Sequence, residues 1–269
     1  MIRFASLAAV LLAGPVFAQG GSLSICGDLS AAATDVAHHC RRALEQGGLT
    51  TDQEVAVRVN LGDAFLAIGQ SDRAVEALTG ALAVDASRPE IYIGRAAAWE
   101  ARGDRTRAER DWNDALRLAP ESVDVRIGRG AFFLRGAAAG RAVEEFTVAL
   151  QLDAEATDAL YNRAIALLAL GRADAAEGDL TRLIALEPND AGAYYHRGRT
   201  RIGRSDRGAL ADFDQAAALA PSWAAPWYQA GRLLDRIGRR DEANRKLRRA
   251  FELGFQDPWL LRRIQSLGG

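Results

Sequence analysis

Apolar and small positions recur along most of this chain with a fixed period, and that period predicts the elements. Arg95, Arg129, Arg163 and Arg197 are each 34 residues apart, and Ile93-Gly94-Arg95-Ala96 returns as Ile127-Gly128-Arg129-Gly130. Taking Val55 as a start divides the chain into units 55–88, 89–122, 123–156, 157–190, 191–223 and 224–257, the fifth one residue short. The eighth residue is small in every unit: Gly62, Ala96, Gly130, Ala164, Gly198 and Gly231. The twentieth is Ala, one place earlier in the short unit: Ala74, Ala108, Ala142, Ala176, Ala209 and Ala243. Small residues at both places let two helices approach closely. A third row is large and apolar: Leu78, Trp112, Phe146, Leu180, Phe213 and Leu247. A fourth, Val84, Leu118, Leu152, Leu186, Leu219 and Leu253, ends the second helix. Pro120, Pro188 and Pro221 follow and cannot continue it. Gly69, Gly103, Gly171 and Gly238 mark the turn between the helices. The pattern is helix-turn-helix throughout, and the fold class is all-α.

A charge pattern runs in the same register. The seventh residue is Arg in four units, and the twenty-third, one place earlier in the short unit, is acidic in the same four. The pairs are Arg95 with Asp111, Arg129 with Glu145, Arg163 with Asp179, and Arg197 with Asp212. The first unit has Leu61 and Ala77 at these places, the sixth Ala230 and Lys246. Arg and acid appear and vanish together, which predicts a structural ion pair joining the two helices of a unit. Removing one partner of such a pair leaves an uncompensated charge.

Helix pairs of this length resemble the tetratricopeptide repeat (TPR) family. The stretch from Tyr161-Asn162-Arg163-Ala164 through Leu186-Glu187-Pro188-Asn189 fits its motif almost throughout. The resemblance covers residues 55–257 and implies a right-handed superhelical solenoid of six TPR units, with a concave groove lined by the first helices. Solenoid ends need caps. Residues 258–269 begin with an amphipathic helix whose Trp259, Leu260 and Ile264 would cover the last unit. Residues 19–54 hold a helix candidate from Ala31 to Glu45, ended by Gly47-Gly48, with Thr50-Thr51-Asp52 leading into the first unit. Cys40 to Leu49 also looks like the front of many exported bacterial proteins of this repeat class.

Residues 1–18 read as a secretory signal peptide. Arg3 supplies the positive start and Phe4 to Val16 an apolar run of 13 residues, short of the roughly 20 that span a bilayer. Val16-Phe17-Ala18 places small or branched residues where a signal peptidase cuts. Ile25 before Cys26 does not suit a lipoprotein signal. No later segment is apolar for long enough to cross a membrane, so the expected location is the periplasm. There, Cys26 and Cys40 most simply form one disulfide. A metal site is the alternative, because His38 and His39 adjoin Cys40. Adjacent helical residues point about 100° apart and chelate poorly together, and there is no second ligand cluster, so no metal is expected.

The chain has 269 residues, 49% of them hydrophobic and 26% charged, so it can bury a core. Its formal net charge of −1 argues against a general nucleic-acid binder. Charge is nevertheless polarised: residues 191–269 carry 15 basic and 8 acidic side chains, residues 19–190 carry 18 and 27. A basic end can meet an acidic partner, an anionic surface or the acidic end of another copy.

Enzyme signatures are missing. There is no phosphate-binding Gly-Lys-Ser/Thr loop, no His-Glu-x-x-His and no Gly-x-Ser-x-Gly elbow. Gly128-Arg129-Gly130 lies inside a repeat helix. His196 alone stands where a general base could. No catalytic residue and no cofactor is expected.

The TPR resemblance implies that the second, fifth, sixth, ninth, twelfth and thirteenth positions face the groove. The first three units offer small or apolar residues at most of these. The last three offer Tyr161, Tyr195 and Tyr228, with Asn162, His196 and Gln229 beside them and Arg199 and Arg232 a turn on. Tyrosine gives contact area at low entropy cost, amides pair with an extended backbone, and Arg grips a carboxylate with two bonds. These eight residues are the candidate site for an extended or acidic peptide; the competing role for the tyrosines is packing between repeats. Val59 and Asp63 stand where chaperone-tail-binding relatives place Lys and Asn, which disfavours that partner class. Arg201 occupies a position filled elsewhere by Phe65, Trp99, Phe133, Leu167 and Leu234, and Ile202 is placed to fill the core instead. The expected function is a non-catalytic periplasmic scaffold holding a protein or peptide partner, with envelope assembly, cell-wall remodelling and secretion as the processes the resemblance implies. The alternative is a cell-wall glycan or small-ligand binder using Trp and Tyr as stacking platforms. Opposite-charged ends also allow self-association.

Overall fold

The computed structural model describes residues 22–28 and 30–267. The expected signal peptide lies outside the described residues. Every element among the described residues is a helix, and the chain divides into two compact units, one ending at Arg129 and one beginning at Gly130.

The first unit contains α1 (Ser22–Cys26), α2 (Ala33–Gln46), α3 (Thr51–Ala67), α4 (Ser71–Val84), α5 (Pro89–Ala101), α6 (Arg105–Leu118) and the start of α7 (Val123–Arg135). Thr50 opens α3 with a capping box: its hydroxyl accepts from the Gln53 N–H, and the Gln53 side chain accepts from the Thr50 N–H. Asp104 caps α6 by accepting from the Arg107 N–H at 3.0 Å. α2 packs on α3, α3 on α4, α4 on α5 and α5 on α6. Short α1 is tied to α2 by a Cys26–Cys40 disulfide, and Asn60 Nδ2 of α3 donates to the Cys26 carbonyl at 3.0 Å.

The second unit holds the end of α7, then α8 (Ala139–Leu152), α9 (Thr157–Ala169), α10 (Ala173–Leu186), α11 (Ala191–Arg201), α12 (Asp206–Leu219), α13 (Ala224–Arg236), α14 (Arg240–Glu252) and α15 (Pro258–Leu267). From α8 each helix packs on the next. Asp190 and Ser205 cap α11 and α12. α15 closes the end: Leu260 is fully buried, and Trp259 and Ile264 pack around Tyr228, Leu247 and Ala250.

Small residues sit where the helices of a pair meet. A Cβ on Gly62 would lie 2.6 Å from Leu78 Cγ, and one on Gly198 2.7 Å from Phe213 Cε1. Leu78, Phe146, Leu180, Phe213 and Leu247 are completely buried. The row ending the second helices stays nearer the surface, with Leu152 43% and Leu186 38% exposed.

The arginine of each pair does more than bond its own acid. Arg95 grips Asp111 with two bonds of 2.8 and 2.7 Å and donates a third to Thr79 Oγ1, in the preceding repeat, at 3.3 Å. Arg163 holds Asp179 and Thr147 in the same way, and Arg197 holds Asp212 and Thr181. Arg129 reaches back to Asn113 at 2.8 Å. The guanidinium fork thus joins a helix pair within a repeat and links that repeat to the one before. The sixth repeat keeps the link by another route: Lys246 Nζ reaches back to Asp214 at 2.7 Å.

A second coupling was not read from the sequence. Arg73 lies over Phe65, Arg107 over Trp99 and Arg141 over Phe133, with the guanidinium carbon 4.1, 4.7 and 3.8 Å from the ring centre. Each pair braces the turn of its own repeat. An exposed contact of this kind contributes about 0.5–1 kcal/mol.

The turns themselves require a left-handed residue. Gly69, Gly103, Gly171, Gly203 and Gly238 have φ between 72° and 85°, and in the third repeat Ala137 holds the same conformation at φ 57°. A Cβ in that region costs about 1–2 kcal/mol. Ala137→Gly is therefore expected to stabilise the protein by about 1 kcal/mol, read as a higher urea midpoint at unchanged slope. A lower midpoint would mean that the turn is not strained.

Among the described residues no helix is long and apolar enough to cross a membrane, and no group of three or more His, Cys, Asp or Glu could hold a metal ion.

Candidate functional site

α13 presents one side chain after another to a single pocket. Tyr228, Gln229, Arg232, Asp235 and Arg236 follow the helical repeat onto one face, and with Ile202, Leu233 and Trp259 they enclose about 400 Å³. Trp259 arrives from α15, and Ile202 from the end of α11, where the shortened turn drops it into the core beside Phe213 and Leu233. The floor is aromatic: Tyr228 is buried and stacks on Phe255 with ring centres 4.3 Å apart. Its hydroxyl accepts a 3.0 Å hydrogen bond from Arg232 Nη1. Burial pushes the Tyr228 hydroxyl above its usual range.

Arg232 is one of two exposed cations that line this pocket. Its guanidinium rests 4.6 Å from the Trp259 ring centre and 5.8 Å from that of Tyr228. Arg236 is paired with Asp206 and Asp235 with Arg263. The arrangement offers one positive charge on an aromatic base, with the amide of Gln229 beside it. Such a surface can receive a carboxylate and the backbone of the segment that carries it.

The other candidate residues form a second cluster on α9 and α11. His196 is buried, edge-on to Tyr161 and Tyr195 at 5.6 and 5.1 Å. Tyr195 also lies 4.6 Å from Trp223, just ahead of α13. Exposed Arg199 donates to His196 Nδ1 at 3.4 Å. Burial, with Arg199 second, pulls the His196 pKa down to about 3. The ring is therefore neutral and a poor proton acceptor at physiological pH.

Of the eight candidate residues, Arg199 and Arg232 are exposed, and Tyr195 and Gln229 are half-buried. Tyr161, Asn162, His196 and Tyr228 are buried. The tyrosines thus pack between successive repeats while supporting the surface that the arginines present. Sequence reasoning passed over Asp235, Arg236 and Trp259 as site residues. The first two occupy the twelfth and thirteenth positions, which the repeat register did mark; Trp259 belongs to the cap, which the register does not describe. Arg201 is explained by its partners: it donates to Glu177 at 2.7 Å and to Asp212 at 2.9 Å, and Arg204 joins Glu177 at 2.8 Å and also pairs with Asp174. It closes an inter-repeat ion network where the other repeats place an apolar side chain.

Comparison with known proteins agrees with this architecture. Residues 59–122 and residues 158–190 each match a tetratricopeptide repeat family profile. Those two stretches are tetratricopeptide repeats. A comparison with curated proteins gives no match. Among solved structures, PilF of Pseudomonas aeruginosa is similar at 18% identity, over 80% of this chain and 98% of that one, with a TM-score of 0.68. PilW, a type IV pilus biogenesis factor, is similar at 18% identity over 78% of this chain and 98% of its own, with a TM-score of 0.67. YrrB, a TPR protein with an unusual peptide-binding site, is similar at 21% identity over 71% of this chain and 96% of its own, with a TM-score of 0.55. At these identities the likeness is one of fold.

Proposed function

We propose that this protein is a non-catalytic periplasmic scaffold that holds a partner protein or peptide, in envelope assembly or cell-wall remodelling, on the surface built by α11, α13 and α15. The observation that carries the reading is the α13 pocket: an exposed arginine on an aromatic floor, lined by consecutive positions of one repeat helix. An acidic or C-terminal carboxylate suits Arg232, and Gln229 suits the adjoining backbone. Similarity in fold to a pilus biogenesis factor and to a peptide-binding TPR protein supports an assembly role. The periplasmic location rests on the N-terminal sequence and on the paired cysteines.

A hydrolytic role finds little support, because the neutral, buried His196 has arginine rather than an acid beside it. The glycan alternative is weakened by the aromatic rings already carrying cations, Arg232 on Trp259 and Lys246 on Trp227 at 4.5 Å.

The test is crosslinked capture from periplasm with residues 19–269 as bait. The Arg199→Glu/Arg232→Glu variant is expected to recover about tenfold less of the specific partner, since central arginines carry much of an interface's energy. Its helical circular dichroism should match the parent's. Equal recovery by both proteins would move the binding surface elsewhere. Recovery of the protein in the cytoplasmic rather than the periplasmic fraction of its own cells would overturn the location.

A further inference from the structure

We propose that a small pocket beside the disulfide, in the first unit, receives one basic side chain, lysine or arginine, from a partner protein, with Asp63 as its counter-ion. This goes beyond the reading above, since it concerns another pocket, another charge sign and another part of the chain.

Asp63 holds on α3 the position that Arg232 holds on α13, the ninth of its repeat, so the two ends present opposite charges to their ligands. Among the described residues no donor or cation reaches its carboxylate, whereas Glu54 on the same helix is paired with Arg58. Gly94 of α5 lies alongside, where a Cβ would meet Leu78 Cδ2 at 3.2 Å and Asp63 Oδ1 at 3.9 Å. The carboxylate lines a pocket of about 150 Å³, whose other walls include Val36, Ala64, Ala67 and Asp28. That volume suits a single side chain. Its aliphatic walls match the methylene stem of Lys or Arg, and its acidic end matches the charged head.

The pocket is preformed. Cys26 is fixed to α2 by the disulfide, and its carbonyl is fixed to α3 by Asn60, so the wall facing Asp63 is held from both sides. A rigid site loses less entropy on binding. The surroundings favour cations: residues 22–129 carry 17 acidic and 13 basic side chains. Burial without a partner pushes the Asp63 carboxyl up to about 7. Asp28, the other ionisable group of the lining, is held below its usual range by hydrogen bonds from Ser30, so it stays charged.

The experiment uses the full, disulfide-bonded chain and three blocked tripeptides, Ala-Lys-Ala, Ala-Arg-Ala and Ala-Gln-Ala. The Asp63 carboxyl carbon and the Val36 and Ala64 methyl groups are followed by NMR through a pH titration. The basic peptides are expected to lower the Asp63 midpoint by about one pH unit or more and to shift both methyl groups; the Gln peptide should do neither. Asp63→Asn should abolish the methyl shifts, and so should Ala67→Phe, which fills the pocket while keeping the carboxylate. No response to either basic peptide would overturn the proposal, as would an equal response to the Gln peptide or an unchanged response in both variants. The Arg199→Glu/Arg232→Glu protein should respond as the parent does, so this test and the capture experiment fail independently.

Discussion

Replacing Asp212 by alanine is expected to destabilise the protein by about 3–5 kcal/mol, the cost of breaking a buried ion pair from one side. Asp212 is only 3% exposed and accepts from two arginines: both ends of the Arg197 fork, at 2.8 and 3.1 Å, and Arg201 Nη1 at 2.9 Å. Alanine would leave the Arg197 guanidinium within the helix pair with the Thr181 hydroxyl at 3.5 Å. Arg201 would retain Glu177. Asp179→Ala, which strands Arg163 alone, is expected to cost less than Asp212→Ala. Denaturant unfolding of the two variants measures the difference. A companion variant, Arg197→Met/Asp212→Leu, should recover most of the loss, since an apolar pair of similar volume replaces a buried ion pair at little cost. A loss below about 1 kcal/mol for Asp212→Ala would show that water reaches the pair and that it behaves as a surface bridge.

Opening the disulfide should have a comparable effect confined to one end. Cys26 and Cys40 are 14 residues apart, and closing a loop of that size contributes about 3 kcal/mol in the chain-entropy model. α1 has five residues, too few to hold a helix by itself. In Cys40→Ser it should come away from α2, taking with it the carbonyl that Asn60 engages. In a repeat array each helix pair leans on its neighbours, so damage at an end need not spread. Hydrogen exchange should therefore show α1 and the start of α2 unprotected while residues 130–267 keep the parent's protection. Uniform loss of protection along the whole chain would show that the bond stabilises the array globally. Undiminished protection of α1 would show that packing alone holds it.

The repeat register was legible because its cause is local and repeated. A helix pair needs small residues where it crosses, large ones to fill its core and a stop after its second helix, and each need recurs every 34 residues. The pairing of Arg with acid was legible for the same reason, as three of the pairs show directly. Contacts of one repeat with the next were harder to read. The threonines that receive the third arginine bond, Thr79, Thr147 and Thr181, also recur with the period, but nothing in a small polar residue announces its partner. The stacks of Arg on Phe65, Trp99 and Phe133 recur too, and were hidden because those aromatics read as ordinary core.

By itself, the sequence determined that this chain is an array of helix pairs repeating every 34 residues, and it paired Arg95, Arg163 and Arg197 with the acids they hold. These follow from short-range chemistry, namely helix period, side-chain size and turn residues. The tertiary structure decided which side of each residue is wet. It buried Tyr161, Asn162, His196 and Tyr228 and left Arg199 and Arg232 on the surface above them. It brought Trp259 of the cap over Arg232, gave Arg201 its acids, and left the Asp63 carboxylate in a pocket without a partner. Each of these depends on where helices distant in sequence are set against one another, and a side chain's environment comes from those neighbours rather than from its own position in the repeat.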